Sequence, residues 1–186
     1  MRDLAGFGAL LRLAWRRDRV LIPVSALALI GIAVSAAKAT LDLYPSDAAA
    51  LRGMSEILRA PAVVALYGPA PAATADGLAV YKVLALGAIM IGVLAYVIVR
   101  RHTRTEEEAG RLELLGAGGV GRRAPLAAAV TLASIAVIVP SLLTAPMLIA
   151  IGMDGRGAVA LATAWIATGL AMAGVTAVAA QLTAST

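Results

Sequence analysis

Residues 100–123, RRHTRTEEEAGRLELLGAGGVGRR, gather the densest set of ionisable side chains in the chain. Glu106, Glu107 and Glu108 run consecutively and are followed by Arg111 and Glu113. His102 is the single histidine and there is no cysteine, so a zinc site lacks ligands and disulfides, thiolate metal sites and Cys nucleophiles are excluded. His102 itself reads as a solvated interfacial residue. Gly116, Gly118 and Gly121 satisfy G-x-G-x-x-G, but dinucleotide binding needs a strand before that pattern and a soluble helix after it. Here the pattern opens onto a long apolar run, and no G-x-x-x-x-G-K-[ST] loop occurs anywhere. The chemistry on offer is polar contact rather than catalysis, and no catalytic residue, metal or cofactor is expected.

The block has a recognisable local frame. Thr105 and Glu108 fit a T-x-x-E capping box, in which hydroxyl and carboxylate each satisfy an amide left open at a helix start, and three glutamates suit the positive end of the helix dipole. The helix so begun carries Leu112, Leu114 and Leu115 toward Gly116, a residue type that ends helices in left-handed geometry. The residues alone leave two readings open, a solvated linker or a docking element that passes force to both flanking segments.

What flanks the block is apolar. Of 186 residues 61% are hydrophobic and 15% charged, with mean hydropathy +0.89, which places the chain in a membrane. Runs at 20–37, 78–99, 124–150 and 157–180 each approach or exceed the roughly 20 residues of a spanning helix, and in lipid only helices satisfy their own backbone over such lengths. Pro140 and Pro146 are expected to kink or break the third run near its outer end. None of the four runs holds an acidic residue, so a carboxylate-based ion-coupled carrier is not indicated. Lys82 is the one ionisable group inside a run, either snorkelling to the headgroups or lining a substrate path. Small-residue pairs, Ala88 with Gly92 and Gly169 with Ala173, read as helix packing.

Charge then sets orientation. Eleven Arg flank the spans on the side of the N-terminus and the 100–123 loop, against four Lys or Arg on the other, so both termini and that loop are expected in the cytoplasm of a multi-pass plasma-membrane protein. The net charge of +5 is thereby a topology signal and no nucleic-acid partner is expected. The first run, with an apolar core of about 18 residues, reads as an anchor rather than a cleaved leader. Residues 1–19 set Phe7, Leu11 and Trp15 at helical spacing with Arg16 elsewhere, an amphipathic helix suited to the membrane interface and to membrane lipid as a partner. In the outer loop, 38–77, Pro45, Ser46 and Asp47 predict a helix start, Leu51, Met54, Ile57 and Leu58 one face, and Pro61 its stop.

TRTEEEAGRLELLGAGGVGRR, the amphipathic N-terminal stretch and RAPAVVALYGPAP in the outer loop together resemble the permease subunits of actinobacterial ABC type 2 exporters, in particular the group called exporters of polyketide antibiotics. The resemblance covers essentially the whole chain, and 14 Arg against 2 Lys with no Asn agrees with a high-GC source. With the four runs it gives an all-α integral membrane fold of four transmembrane helices over 20–186, and it implies that residues 1–19 form an N-terminal interfacial helix and that the 100–123 loop carries a cytoplasmic coupling helix. It also implies a separate ABC ATPase subunit, which Glu106, Glu107, Glu108, Gly110, Arg111, Glu113, Leu114 and Leu115 would contact, and export of amphipathic or antibiotic-like compounds. Members of that group carry two six-helix halves, so the chain is expected to match only the N-terminal part of such a permease, as a fragment or truncated copy or with further permease helices or a second half as partners. A mechanotransmission-class ABC permease is the alternative, although 40 residues are too few for its large outer domain, and a non-transporting membrane scaffold is the alternative from another class.

Overall fold

The computed structural model describes residues 2–58, 61–68, 74–105 and 119–182. Among these are a 3₁₀ turn at Arg2–Leu4 and seven α-helices: α1 Phe7–Arg17, α2 Leu21–Leu43, α3 Asp47–Leu58, α4 Pro61–Tyr67, α5 Ala75–His102, α6 Ala124–Ala150 and α7 Gly155–Leu182. The chain is an all-α, multi-spanning membrane protein. Helices α2, α5, α6 and α7 hold 23 to 28 residues each and are apolar enough to cross. At 1.5 Å per residue they are roughly 35–42 Å long, more than the ~30 Å hydrocarbon layer. Several of their hydroxyls are spent inside the helix, which suits lipid: Thr144 Oγ1 donates to the Pro140 carbonyl at 2.8 Å and Thr176 Oγ1 to the Met172 carbonyl at 2.7 Å.

Each of the four long helices is divided between two compact units. The first unit comprises 1–26, 91–139 and 166–186. In it Gly169 lets α7 approach Val137 of α6 and Ile91 of α5 so closely that a Cβ would collide with both side chains. Gly92 similarly faces Met172, and Ala173 is buried, so the small-residue pairs do pack helices. The second unit comprises 27–90 and 140–165. Its centre is Trp165, fully buried, whose indole fills the space a side chain at Gly87 would need and whose Nε1–H donates to the Leu84 carbonyl at 3.1 Å. A buried indole without that acceptor would leave an unpaired donor.

Pro140 and Pro146 both lie inside the continuous helix α6, so neither breaks it. Each proline removes one donor from the ladder, a loss a spanning helix tolerates. Helix α3 ends at Leu58, ahead of Pro61 as expected, and Pro61 also opens α4, where its missing N–H costs nothing in a first helical turn. Helix α3 begins at Asp47 as predicted but faces inward through Ala50 and Met54, which pack on Leu78 with Tyr44 and Ala75, while Leu51 is exposed. The small Ala50 side chain permits that close approach. The side chains of Ile57 and Leu58 lie outside the described residues.

Candidate functional site

Helix α1 has little apolar surface with which to hold itself in place: Ala14 is its one buried residue. Phe7 and Leu11 are half-buried, Trp15 is 47% exposed and Arg16 is exposed. Ala14 rather than the Phe7–Leu11–Trp15 line therefore seats the helix, and Trp15 with Leu4 and Leu13 is left outward, an arrangement suited to a headgroup layer.

Two polar tethers do the rest. The first is Asp18, the C-terminal cap of α1, whose N–H donates to the Ala14 carbonyl and whose own carbonyl receives the Ile22 N–H, so it forms the corner between α1 and α2. Its side chain is fully buried. One carboxylate oxygen, Oδ2, lies 2.6 Å from Nε2 of His102, and the other, Oδ1, makes an ion pair with Nη1 of Arg101 at 2.9 Å. A carboxylate oxygen only accepts, so the Nε2 that meets it carries the hydrogen. A buried charge is tolerated only when paired in this way. Arg101 and His102 are the last two residues of α5, where positive charge also suits the helix dipole.

The second tether is backbone to backbone. The Gly121 N–H donates to the Ala5 carbonyl at 2.9 Å and the Arg123 N–H to the Asp3 carbonyl at 3.1 Å, a two-rung antiparallel pairing. Gly6 then turns the chain into α1 with φ +83°, a value that favours glycine, and lies against Val120. The two ends of α1 are thus fastened to the two flanks of the charged block, one at 101–102 and the other at 120–123.

His102 is accordingly not a solvated residue. Its side chain is 8% exposed, because the Asp18 carboxylate takes the place of water. Arg104 and Thr105 already have helical backbone, and the hydroxyl of Thr103 donates to the Val99 carbonyl, so a helix starting at Thr105 is placed too late. Glu106, Glu107, Glu108, Gly110, Arg111, Glu113, Leu114 and Leu115 lie outside the described residues. Asp18 escaped the sequence reading. Its signal is that it is the one acidic residue in a run of arginines, Arg16, Arg17 and Arg19, directly before a span; its partner, 84 positions away, has no local signature.

Lys82 belongs to the second unit. Its ammonium lies 5.2 Å from the centroid of the Tyr44 ring, a cation–π contact one residue beyond the end of α2. Its stem lines a small apolar cavity, about 30 Å³, with Leu29, Ala33, Gly87 and Trp165. Nearby, the Ala75 N–H donates to Asp47 Oδ1 at 3.2 Å and Tyr81 Oη donates to the Gly68 carbonyl at 3.0 Å, which fasten the α3–α4 segment to the start of α5. Among the described residues no group of three or more His, Cys, Asp or Glu could hold a metal.

Against known proteins, the chain is 36% identical over 177 residues to the multidrug efflux system permease protein Rv1217c of Mycobacterium tuberculosis. The similarity is to an efflux permease. It covers 95% of this chain and 32% of the relative, so the chain spans about a third of that permease's length. Fewer than ten residues of the chain fall outside it, so all four spans and most or all of the 100–123 block share in the likeness to the permease. No family model matches the chain.

Proposed function

We propose that this chain forms part of the membrane permease of an ABC-type multidrug exporter in the plasma membrane, exporting amphipathic, antibiotic-like compounds with energy from a separate ATPase subunit. The observation that carries this reading is the 36% identity to a multidrug efflux system permease along 95% of the chain. The Arg excess beside α1 and in 100–123 supports a topology with both termini and that loop in the cytoplasm, where an ATPase would meet it. Further permease helices, from a second half or another chain, would complete the pathway. Lys82, in its apolar surroundings, is the candidate cation on that pathway.

The tethers on α1 support a mechanical role for the block. A loop pushed from the cytoplasm moves two spans only if it cannot slide against them. Asp18 clamps its α5 flank and the Asp3–Arg123 and Ala5–Gly121 pairs clamp its α6 flank. In this reading Glu106, Glu107, Glu108, Gly110, Arg111, Glu113, Leu114 and Leu115 form the ATPase-contacting surface, and Phe7, Leu11, Trp15 and Arg16 rest α1 on the lipid.

Affinity purification in mild detergent tests the proposal. The wild-type protein is expected to bring down a stoichiometric ATPase, and Glu107→Arg with Leu114→Asp to release it while membrane insertion is unchanged. Recovery of no ATPase with the wild type would favour the scaffold reading, and undiminished recovery with the double variant would remove the docking assignment.

A further inference from the structure

Within the first unit, a cleft of about 470 Å³ is lined by Asp3, Arg122, Arg123, Leu126 and Gln181. Its size is within the roughly 300–1,000 Å³ of small-ligand sites. We propose that it binds the headgroup of an amine-bearing phospholipid, with Arg122 and Arg123 on the phosphodiester and Asp3 on the ammonium.

Three observations carry this. The first is place: α6 begins at Ala124 and α7 ends at Leu182, so the cleft lies where two spans leave the hydrocarbon, with Leu126 at its apolar edge and Gln181 in the last turn of α7. Headgroups occupy that level of a bilayer. The second is charge. The exposed guanidinium groups of Arg122 and Arg123 make no ion pair or side-chain hydrogen bond among the described residues, although the Asp3 carboxylate lines the same cleft. Two planar cations and one anion, close together but unpaired with each other, match a phosphate with an amine beside it better than a lone anion. The third is rigidity. The Arg123 N–H is bound to the Asp3 carbonyl and the Gly121 N–H to the Ala5 carbonyl, so the backbone bearing these groups is fixed before a ligand arrives. A fixed site forfeits less ordering entropy on binding. The site is separate from the Phe7–Leu11–Trp15 line and does not depend on the exporter reading.

The test is native mass spectrometry of the detergent-purified protein from mixed micelles of phosphatidylethanolamine and phosphatidylglycerol, with and without millimolar inorganic phosphate. One phosphatidylethanolamine is expected to be retained per chain, insensitive to phosphate. Arg122→Gln with Arg123→Gln should weaken retention by about tenfold or more. Arg122→Lys with Arg123→Lys keeps the charge and loses the planar fork, and should fall between. Asp3→Asn should keep a lipid bound while abolishing the preference for the amine. Retention that survives the double Gln substitution, displacement by inorganic phosphate, or an unchanged preference in Asp3→Asn would each overturn the proposal. Far-UV helix content serves as the folding control for every variant.

Discussion

Helices α1 and α3 are both short appendages to long spans, one in each unit, and they are held by opposite means. Helix α3 is held largely by an apolar seat, Ala50 and Met54 on Leu78, with one hydrogen bond from the Ala75 N–H to the Asp47 carboxylate beside it. Helix α1 buries one alanine and is fixed by a buried carboxylate and by backbone pairing. Apolar seating is non-directional and tolerates small shifts. A buried carboxylate between an imidazole and a guanidinium fixes position and angle, and fails abruptly when one partner goes. The difference teaches where accuracy matters in this chain: at the flanks of the charged block rather than in the 38–74 segment.

The largest expected break is at Asp18. Asp18→Ala leaves Arg101 without its counter-charge and His102 without its acceptor, and should cost about 3–5 kcal/mol of the docked state of α1. Hydrogen exchange should show the amides of residues 7–17 losing protection while those of 47–58 keep theirs. Met54→Ala is the mirror experiment. It should cost about 2–4 kcal/mol, toward the lower part of the range for large-to-small core changes, and reverse the exchange pattern. If Asp18→Ala left α1 as protected as in the wild type, the contrast between the two helices would be lost.

Those two variants concern appendages, whereas a third tests the spans beneath them. Gly87→Ala drives a methyl into the Trp165 indole and should destabilise the second unit by about 1–3 kcal/mol, seen as a lower thermal midpoint in detergent and altered Trp fluorescence. The smallest effect is expected at Lys38→Ala. Its ion pair with Asp42 lies on adjacent turns of α2 with both side chains more than half exposed, and such pairs contribute no more than about 0.5 kcal/mol. A thermal midpoint indistinguishable from wild type is the expected result, and a marked fall would mean that exposed pairs weigh as much as the buried Asp18 cluster.

The spans were legible because long apolar runs in lipid have one backbone solution. Their ends were less so. Residue 37 closes the first apolar run, yet α2 continues to Leu43, since Lys38 and Asp42 pair on adjacent turns and Thr40 bonds back to Ala36. The α3 start was readable from Ser46 and Asp47, and the Ser46 hydroxyl does accept the Ala49 N–H. Pro61 marked the end of α3 but gave no sign of α4, because proline can both stop a helix that precedes it and start one that follows. Of the site, the amphipathic α1 and the charged block were visible as composition. The Asp18–His102 contact was not, because it joins positions that only the packing of α5 against the α1–α2 corner brings together.

The central claim is that residues 100–123 form a lever on the cytoplasmic side. Because the chain has no cysteine, Glu107→Cys gives a single thiol, and labelling it in intact cells with a membrane-impermeant maleimide is the most direct measurement. No labelling is expected until the cells are permeabilised. Full labelling of intact cells would place the lever on the wrong side of the membrane and contradict that claim.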